Sequence, residues 1–119
     1  MTILDQYFRL SDQAWFQPHA AEEIINLFSE EAEVQPVGAP KVKGRQAIEQ
    51  LFRSFFDRYA SLRRVWRVSD TPQGMEATWA VAGRYHSGEV FAVHGKHIAK
   101  LDEEGKIAKL QVELITNPT

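Results

Sequence analysis

The stretch Leu27–Tyr59, LFSEEAEVQPVGAPKVKGRQAIEQLFRSFFDRY, decides how this chain folds. Leu27 and Phe28 close an apolar helical run, and Ser29-Glu30-Glu31 reads as its acidic, polar exit. Between Val34 and Val42 stand Pro36, Gly38 and Pro40. Proline lacks an amide hydrogen and glycine frees the backbone, so this piece suits two short strands and a turn rather than a helix interior. Gly44 ends the crossing. Apolar residues then recur at Ile48, Leu51, Phe52, Phe55, Phe56 and Tyr59, spaced i, i+3, i+4, i+7, i+8, i+11, which predicts one continuous helical face. An aromatic face this wide needs a broad apolar partner, and the second half of the chain must supply it.

Upstream, Ile3 to Phe16 reads as a first helix with Leu4, Phe8, Ser11, Asp12 and Trp15 along one stripe. Gln17-Pro18-His19 breaks it, because proline is poor inside a helix but suited to a first turn. Ala20 to Phe28 restarts as a second helix, with Glu22 and Glu23 near its favourable N-terminal end. Downstream of Ala60-Ser61 the period changes from 3.6 to 2. Leu62–Val68, Met75–Tyr85, Val90–Leu101 and Ile107–Ile115 read as strands, separated by Asp70–Gly74, His86–Glu89 and Asp102–Gly105. Three tight connections in a row predict a mostly antiparallel meander. Helices first and a sheet afterwards make the chain α+β, with three helices covering one face of a curved antiparallel sheet.

The whole of residues 1–119 fits one domain able to bury a real core. Apolar residues at 44% and charged residues at 25% are those of an ordinary globular protein rather than a disordered one. A formal net charge of −2 provides no long-range attraction to nucleic acid or to an anionic membrane, so neither is expected as a partner. The absence of cysteine excludes disulfides, thiol chemistry and cysteine-ligated metals. Asp5, Gln6 and Arg9 interrupt the first ten residues, which read as neither a signal peptide nor a span, and a cytoplasmic location is expected.

The run LFSEEAEVQPVG…KGRQAIEQLF, followed by a meander ending HGKHIAKLDEEGKIAKL, resembles the SnoaL-like and ketosteroid-isomerase-like families of the nuclear-transport-factor-2-like superfamily. The resemblance spans Leu4 to Leu114. It implies a conical (cystatin-like) fold, a curved sheet wrapped around three helices with an apolar cavity at the wide end. It also implies a homodimer through the outer sheet face and chemistry without a cofactor. It does not fix a function, because isomerases, cyclases, dehydratases, epoxide hydrolases and plain binders share this scaffold.

In ketosteroid isomerases, a carboxylate base precedes the Pro-Val-Gly of the crossing, and a helix-one tyrosine and a protonated aspartate on the third meander strand hold the oxyanion. Aligned with that pattern, this chain has Gln35 at the base, Asp12 at the tyrosine and His97 at the aspartate. Glutamine cannot take and return a proton at neutral pH; it can only hydrogen-bond. A true steroid isomerase is therefore not expected. If Asp12 and His97 point into one cavity, the carboxylate would raise the imidazole's pKa and fix its tautomer, leaving a nitrogen for general acid/base work. Gln35 would then donate to a ligand carbonyl. The plainer reading is a histidine that satisfies a polar spot in the core.

Hairpin parity decides whether His97 faces the cavity. A two-residue turn at Ser87-Gly88 pairs it with Thr78; a three-residue loop pairs it with Ala77, on the face of Trp79 and Val81. Trp15, Phe56, Trp79 and Phe91 are the candidate pocket walls, although such aromatics are more often core. A metal site is not expected. His94 and His97 are three apart on one strand and face opposite ways, and no His-Glu-x-x-His spacing occurs. Arg58, Arg63, Arg64 and Arg67 read as a solvated cluster; Arg64, or else Arg84, would have to turn inward to hold an acidic ligand. The expected function is binding of a small, largely apolar molecule, with cofactor-free acid/base chemistry of isomerase, cyclase or dehydratase type. The alternatives are a non-catalytic binder and a dimerisation module using outer-face residues such as Val90, Ala92 and Ile98.

Overall fold

The computed structural model describes residues 1–115. Helix α1 (Ile3–Ala14) opens on a capping box. The Thr2 hydroxyl accepts from the Asp5 amide at 3.1 Å, and the Thr2 amide donates to the Asp5 carboxylate at 3.0 Å. The other Asp5 oxygen accepts from the Trp66 indole at 2.9 Å, so the same residue that starts α1 also fastens it to the sheet. Helix α2 (Pro18–Ile25) begins at the proline and folds back on α1. Helix α3 (Arg45–Phe56) follows Gly44, whose φ of 89° admits only glycine comfortably, and buries Ile48, Phe52 and Phe56 at four-residue spacing.

The strands are β1 (Phe28–Gln35), β2 (Val42–Lys43), β3 (Tyr59–Thr71), β4 (Gly74–Tyr85), β5 (Val90–Leu101) and β6 (Ile107–Leu114). They form one sheet in the order β2-β1-β6-β5-β4-β3. The meander β3–β6 is antiparallel as expected, but β1 runs parallel to β6, so the sheet is mixed. The helices lie against its inner face, and the α+β architecture holds. No described helix is long and apolar enough to cross a membrane.

The turn expected over Asp70–Gly74 shrinks to residues 72–73, and both ends of the α1–α2 break shift by two residues. Two larger differences from the sequence expectation share one reason. Phe28 and the acidic run after it form a strand, not the end and exit of α2. Ile107 donates its amide to the Leu27 carbonyl at 2.9 Å, and the Phe28 ring is fully buried against Tyr7 and Phe52. Pairing with a strand nearly eighty residues away outweighs local helical periodicity. Likewise Tyr59, spaced to extend the α3 face, starts β3 instead, because α3 closes at Phe56 and the chain turns into the sheet. Arg45 ties the crossing together by donating twice to the Phe28 carbonyl, at 3.0 and 2.7 Å.

Candidate functional site

The β4–β5 hairpin turns through a three-residue loop, with the Tyr85 amide donating to the Glu89 carbonyl, and this sets the register. His97 pairs with Ala77 and points inward, only 4% exposed. His94, paired with Ala80, lies on the opposite face. Gly95 lets the Trp79 indole lie across β5: a Cβ there would meet the indole Cζ2 at 2.8 Å and also strike the Glu113 carbonyl. The indole thereby reaches His97.

Trp79 Nε1 donates to His97 Nδ1 at 2.7 Å, and His97 Nε2 lies 3.3 Å from the Tyr7 hydroxyl oxygen. An indole N–H is a donor only, so Nδ1 must be the acceptor and the neutral ring must carry its proton on Nε2. His97 therefore donates to Tyr7, and the hydroxyl proton of Tyr7 is left over as a donor. Burial first, then the positive charge of Arg64, holds the His97 pKa well below its ordinary value. Burial pushes the Tyr7 hydroxyl up to about 12, against the pull of Arg64.

Arg64 sits on the inner face of β3, within the alternation Leu62, Arg64, Trp66, Val68. Its guanidinium carbon lies 5.2 Å from the Phe8 ring centroid and 5.2 Å from that of Trp79. The residue is half-buried, yet its Nε is fully covered and has no hydrogen-bond partner. Asp12 is also half-buried and faces Arg64; burial raises its carboxyl pKa, opposed by the Arg64 charge, the Arg64 backbone amide and Arg63. Trp15, the C-cap of α1, likewise has a buried Nε1 with no partner. A buried donor left without an acceptor costs about 1–3 kcal/mol, so each of the two needs explaining.

The sequence-predicted residues divide. His97 and Trp79 meet, but the expected Asp12–His97 pair does not form. Asp12 faces Arg64, and the His97 pKa falls where a carboxylate partner would have raised it. Gln35 donates to the Pro36 and Ala39 carbonyls, at 3.1 and 2.9 Å, and so closes its own turn. Phe56 stacks on Phe52 and meets Phe55 edge-on, and Phe91 packs on Tyr59 and Tyr85. These rings fill the cone's interior rather than framing an open space. Two surface depressions lie elsewhere, one of about 630 Å³ on the sheet around Val65, Ala80 and Ala92, and one of about 440 Å³ between α1 and α2. Arg84 is exposed; Arg64 is the arginine that turns inward.

Tyr7 was not among the expected site residues, although its position three after Leu4 and four before Ser11 places it on the buried stripe. Arg64 stood inside a readable strand alternation but beside Arg63, and an arginine pair suggests solvent.

No family model matches the sequence, and no curated protein matches it. Among solved structures, an NTF2-like protein of unknown function from Exiguobacterium sp. 255-15 is 31% identical, with TM-score 0.87 over 98% of this chain and 100% of that one. SalBIII, an epoxide hydrolase/cyclase-like enzyme in pyran ring formation in the polyether salinomycin, is 22% identical, with TM-score 0.74 over 94% and 87%. A candidate polyketide cyclase from Pseudomonas putida KT2440 is 16% identical, with TM-score 0.80 over 95% and 91%. The two lower identities speak to the fold alone. The 31% identity over essentially the full length of both chains places this protein in the NTF2-like family.

Proposed function

We propose that this protein is of the SnoaL-like kind, taking a small, largely apolar molecule at the wide end of the cone and moving a proton on it without a cofactor. The observation that carries the reading is Arg64, a cation turned into an aromatic interior with a covered, unpaired Nε and a carboxyl group facing it. Asp12 is the acid/base group. Its raised pKa brings it nearer the range where a carboxyl can both take and return a proton. Asp12 removes a proton from carbon beside a carbonyl, the C–H pair becomes the enolate, and the Tyr7 hydroxyl donates to the oxygen that gains charge. Return of the proton at another carbon gives isomerisation; attack by the enolate carbon gives ring closure. His97, held neutral between Trp79 and Tyr7, positions that hydroxyl instead of shuttling protons itself. The likeness to cyclase folds is compatible with this chemistry.

The test is deuterium exchange at the α-carbon of a panel of aryl ketones in heavy water, with binding followed separately by NMR. The Asp12→Asn variant is expected to lose exchange by about 100-fold or more while affinity changes little. Exchange at the same rate in both proteins removes Asp12 from the chemistry; binding without exchange in either leaves a non-catalytic binder.

A second reading, pairing of two copies through the outer sheet face, is favoured by the exposure there of Val65 (71%) and Val90 (72%).

A further inference from the structure

The chain's three indole N–H groups are bonded in three different ways. Trp15 Nε1 has no partner, Trp66 Nε1 donates to the Asp5 carboxylate at 2.9 Å, and Trp79 Nε1 donates to His97 Nδ1 at 2.7 Å. A carboxylate that takes a proton can still accept, whereas an imidazole that takes one carries N–H on both nitrogens and accepts nothing. Protonation of His97 would therefore set two donors against each other across 2.7 Å. Turning the ring over does not help, because it puts a C–H where Nδ1 stands. Nε2 keeps its bond to the Tyr7 hydroxyl in either protonation state, so the whole conflict falls on Trp79.

The surroundings of His97 hold no carboxylate to share the charge. It meets Tyr7 and Phe8 from α1, Ala77 and Trp79 from β4, and Val112 from β6, and it feels Arg64 from β3. The titratable or charged groups among these are Tyr7 and the cation Arg64. Asp12 faces Arg64 instead, and His94 and Lys96 lie on the other face of β5. The indole is seated in the gap left by Gly95, while the β4–β5 pairing beneath it is made by backbone groups. The ring can leave that seat without unzipping the strands.

We propose that His97 and Trp79 form an acid-released latch: a proton on His97 expels the indole from its seat and opens the interior beside Arg64 while the sheet stays paired. The relay Trp79–His97–Tyr7 is intact only while the imidazole is neutral. Burial and the Arg64 charge hold the His97 pKa well below its ordinary value, so the latch stays shut at neutral pH and yields in acid. The Arg64 guanidinium lies over the same indole, 5.2 Å from its ring centroid, so release also uncovers that side of the cation. The latch needs no ligand and no role for Asp12, and so stands or falls apart from the function proposed above.

The experiment follows the three indole N–H resonances of the ¹⁵N-labelled protein from about pH 7 to about pH 4, with far-UV circular dichroism alongside. The Trp79 line is expected to move upfield, reversibly, as its hydrogen bond is lost, with the ellipticity unchanged. The Trp66 line is the internal control and should hold, because hydrogen bonds from Trp66 and Thr2 keep the Asp5 pKa below its ordinary value of 3.8. In His97→Gln the amide oxygen accepts without titrating, and the Trp79 line should stay in place. If that variant fails to fold, Trp79→Phe carries the test: with no N–H against Nδ1, the His97 imidazole should take its proton at a higher pH than in the wild type, read from its Cε1–H resonance. A Trp79 line that stays in place throughout, or three indole lines that move together as ellipticity is lost, overturns the latch. So does a His97 titration that Trp79→Phe leaves unchanged.

Discussion

His97 shows how far one side chain's role depends on its neighbours. Its face could be argued only through the length of the hairpin loop, and its partners lay beyond what spacing conveys. Trp79, paired with Gly95, reaches it only because that glycine lets the indole cross, and Tyr7 comes from a helix ninety residues upstream. The folded imidazole stays neutral, whereas the unfolded chain's histidine takes a proton below its ordinary pKa of 6.5. The unfolded state then binds more protons than the folded state, so stability falls as pH drops below about 6.5. One proton sets a ceiling on the slope of about 1.4 kcal/mol per pH unit, so the loss between pH 6.5 and 5 stays below about 2 kcal/mol. Asp12 acts in the opposite sense, because its raised pKa makes the folded state favour the proton at low pH. The comparison is therefore made between the wild type and His97→Gln, in which every other group cancels. Urea melts at pH 7 and 5 should show the variant losing markedly less stability than the wild type over that interval. Equal losses would mean that His97 is not the buried neutral group described here.

At the scale of elements, most of the fold was legible because period and punctuation agreed. α1, α3 and the four meander strands fall where apolar spacing and turn residues predicted them. The end of β1 and its pairing with β2 match the expected short strands, but its first half from Phe28 was read as helix, because that part depends on β6, far along the chain, and no local pattern could supply that partner. The site was less legible than the fold for the same reason. Arg64 and Tyr7 belong to different elements and become a pair only when α1 crosses β3. Gly95 is the clearest element-level constraint, since the β4–β5 approach, the Trp79 rotamer and the contact with β6 all use its missing side chain. Gly95→Ala forces a methyl group against an indole and a strand carbonyl at once. It should cost about 1–3 kcal/mol, the usual penalty for overpacking a filled core, seen as a lower melting temperature. Because Trp79 must turn away from His97, the indole N–H resonance of Trp79 should also shift. A variant as stable as wild type with that resonance unmoved would show that β5 can give way without disturbing the relay.

For the molecule as a whole, the question is what the outer sheet face is for. Its central rows are Arg63, Ala82 and Ala92, and Val65, Ala80 and His94, adjacent across three strands. Most of these side chains are small, so another flat surface can approach closely, and they floor the 630 Å³ depression. Val65 stands in the middle, 71% exposed, where a lone monomer would lose little by placing a charge. A second copy related by a two-fold axis presents the same rows back, and a stable pair requires roughly 800 Å² of surface from each partner. If the face serves this purpose, light scattering at tens of micromolar should read twice the chain mass of 13.6 kDa. Val65→Asp should then bring the mass down to a single chain, because two like charges are forced together across the axis with little water between them. The same substitution on a monomer is a surface change worth within about 0.5 kcal/mol and should leave mass and melting temperature alone. Wild type running at 13.6 kDa would end the pairing reading and leave the cone's wide end as the part of this protein on which a function can be built.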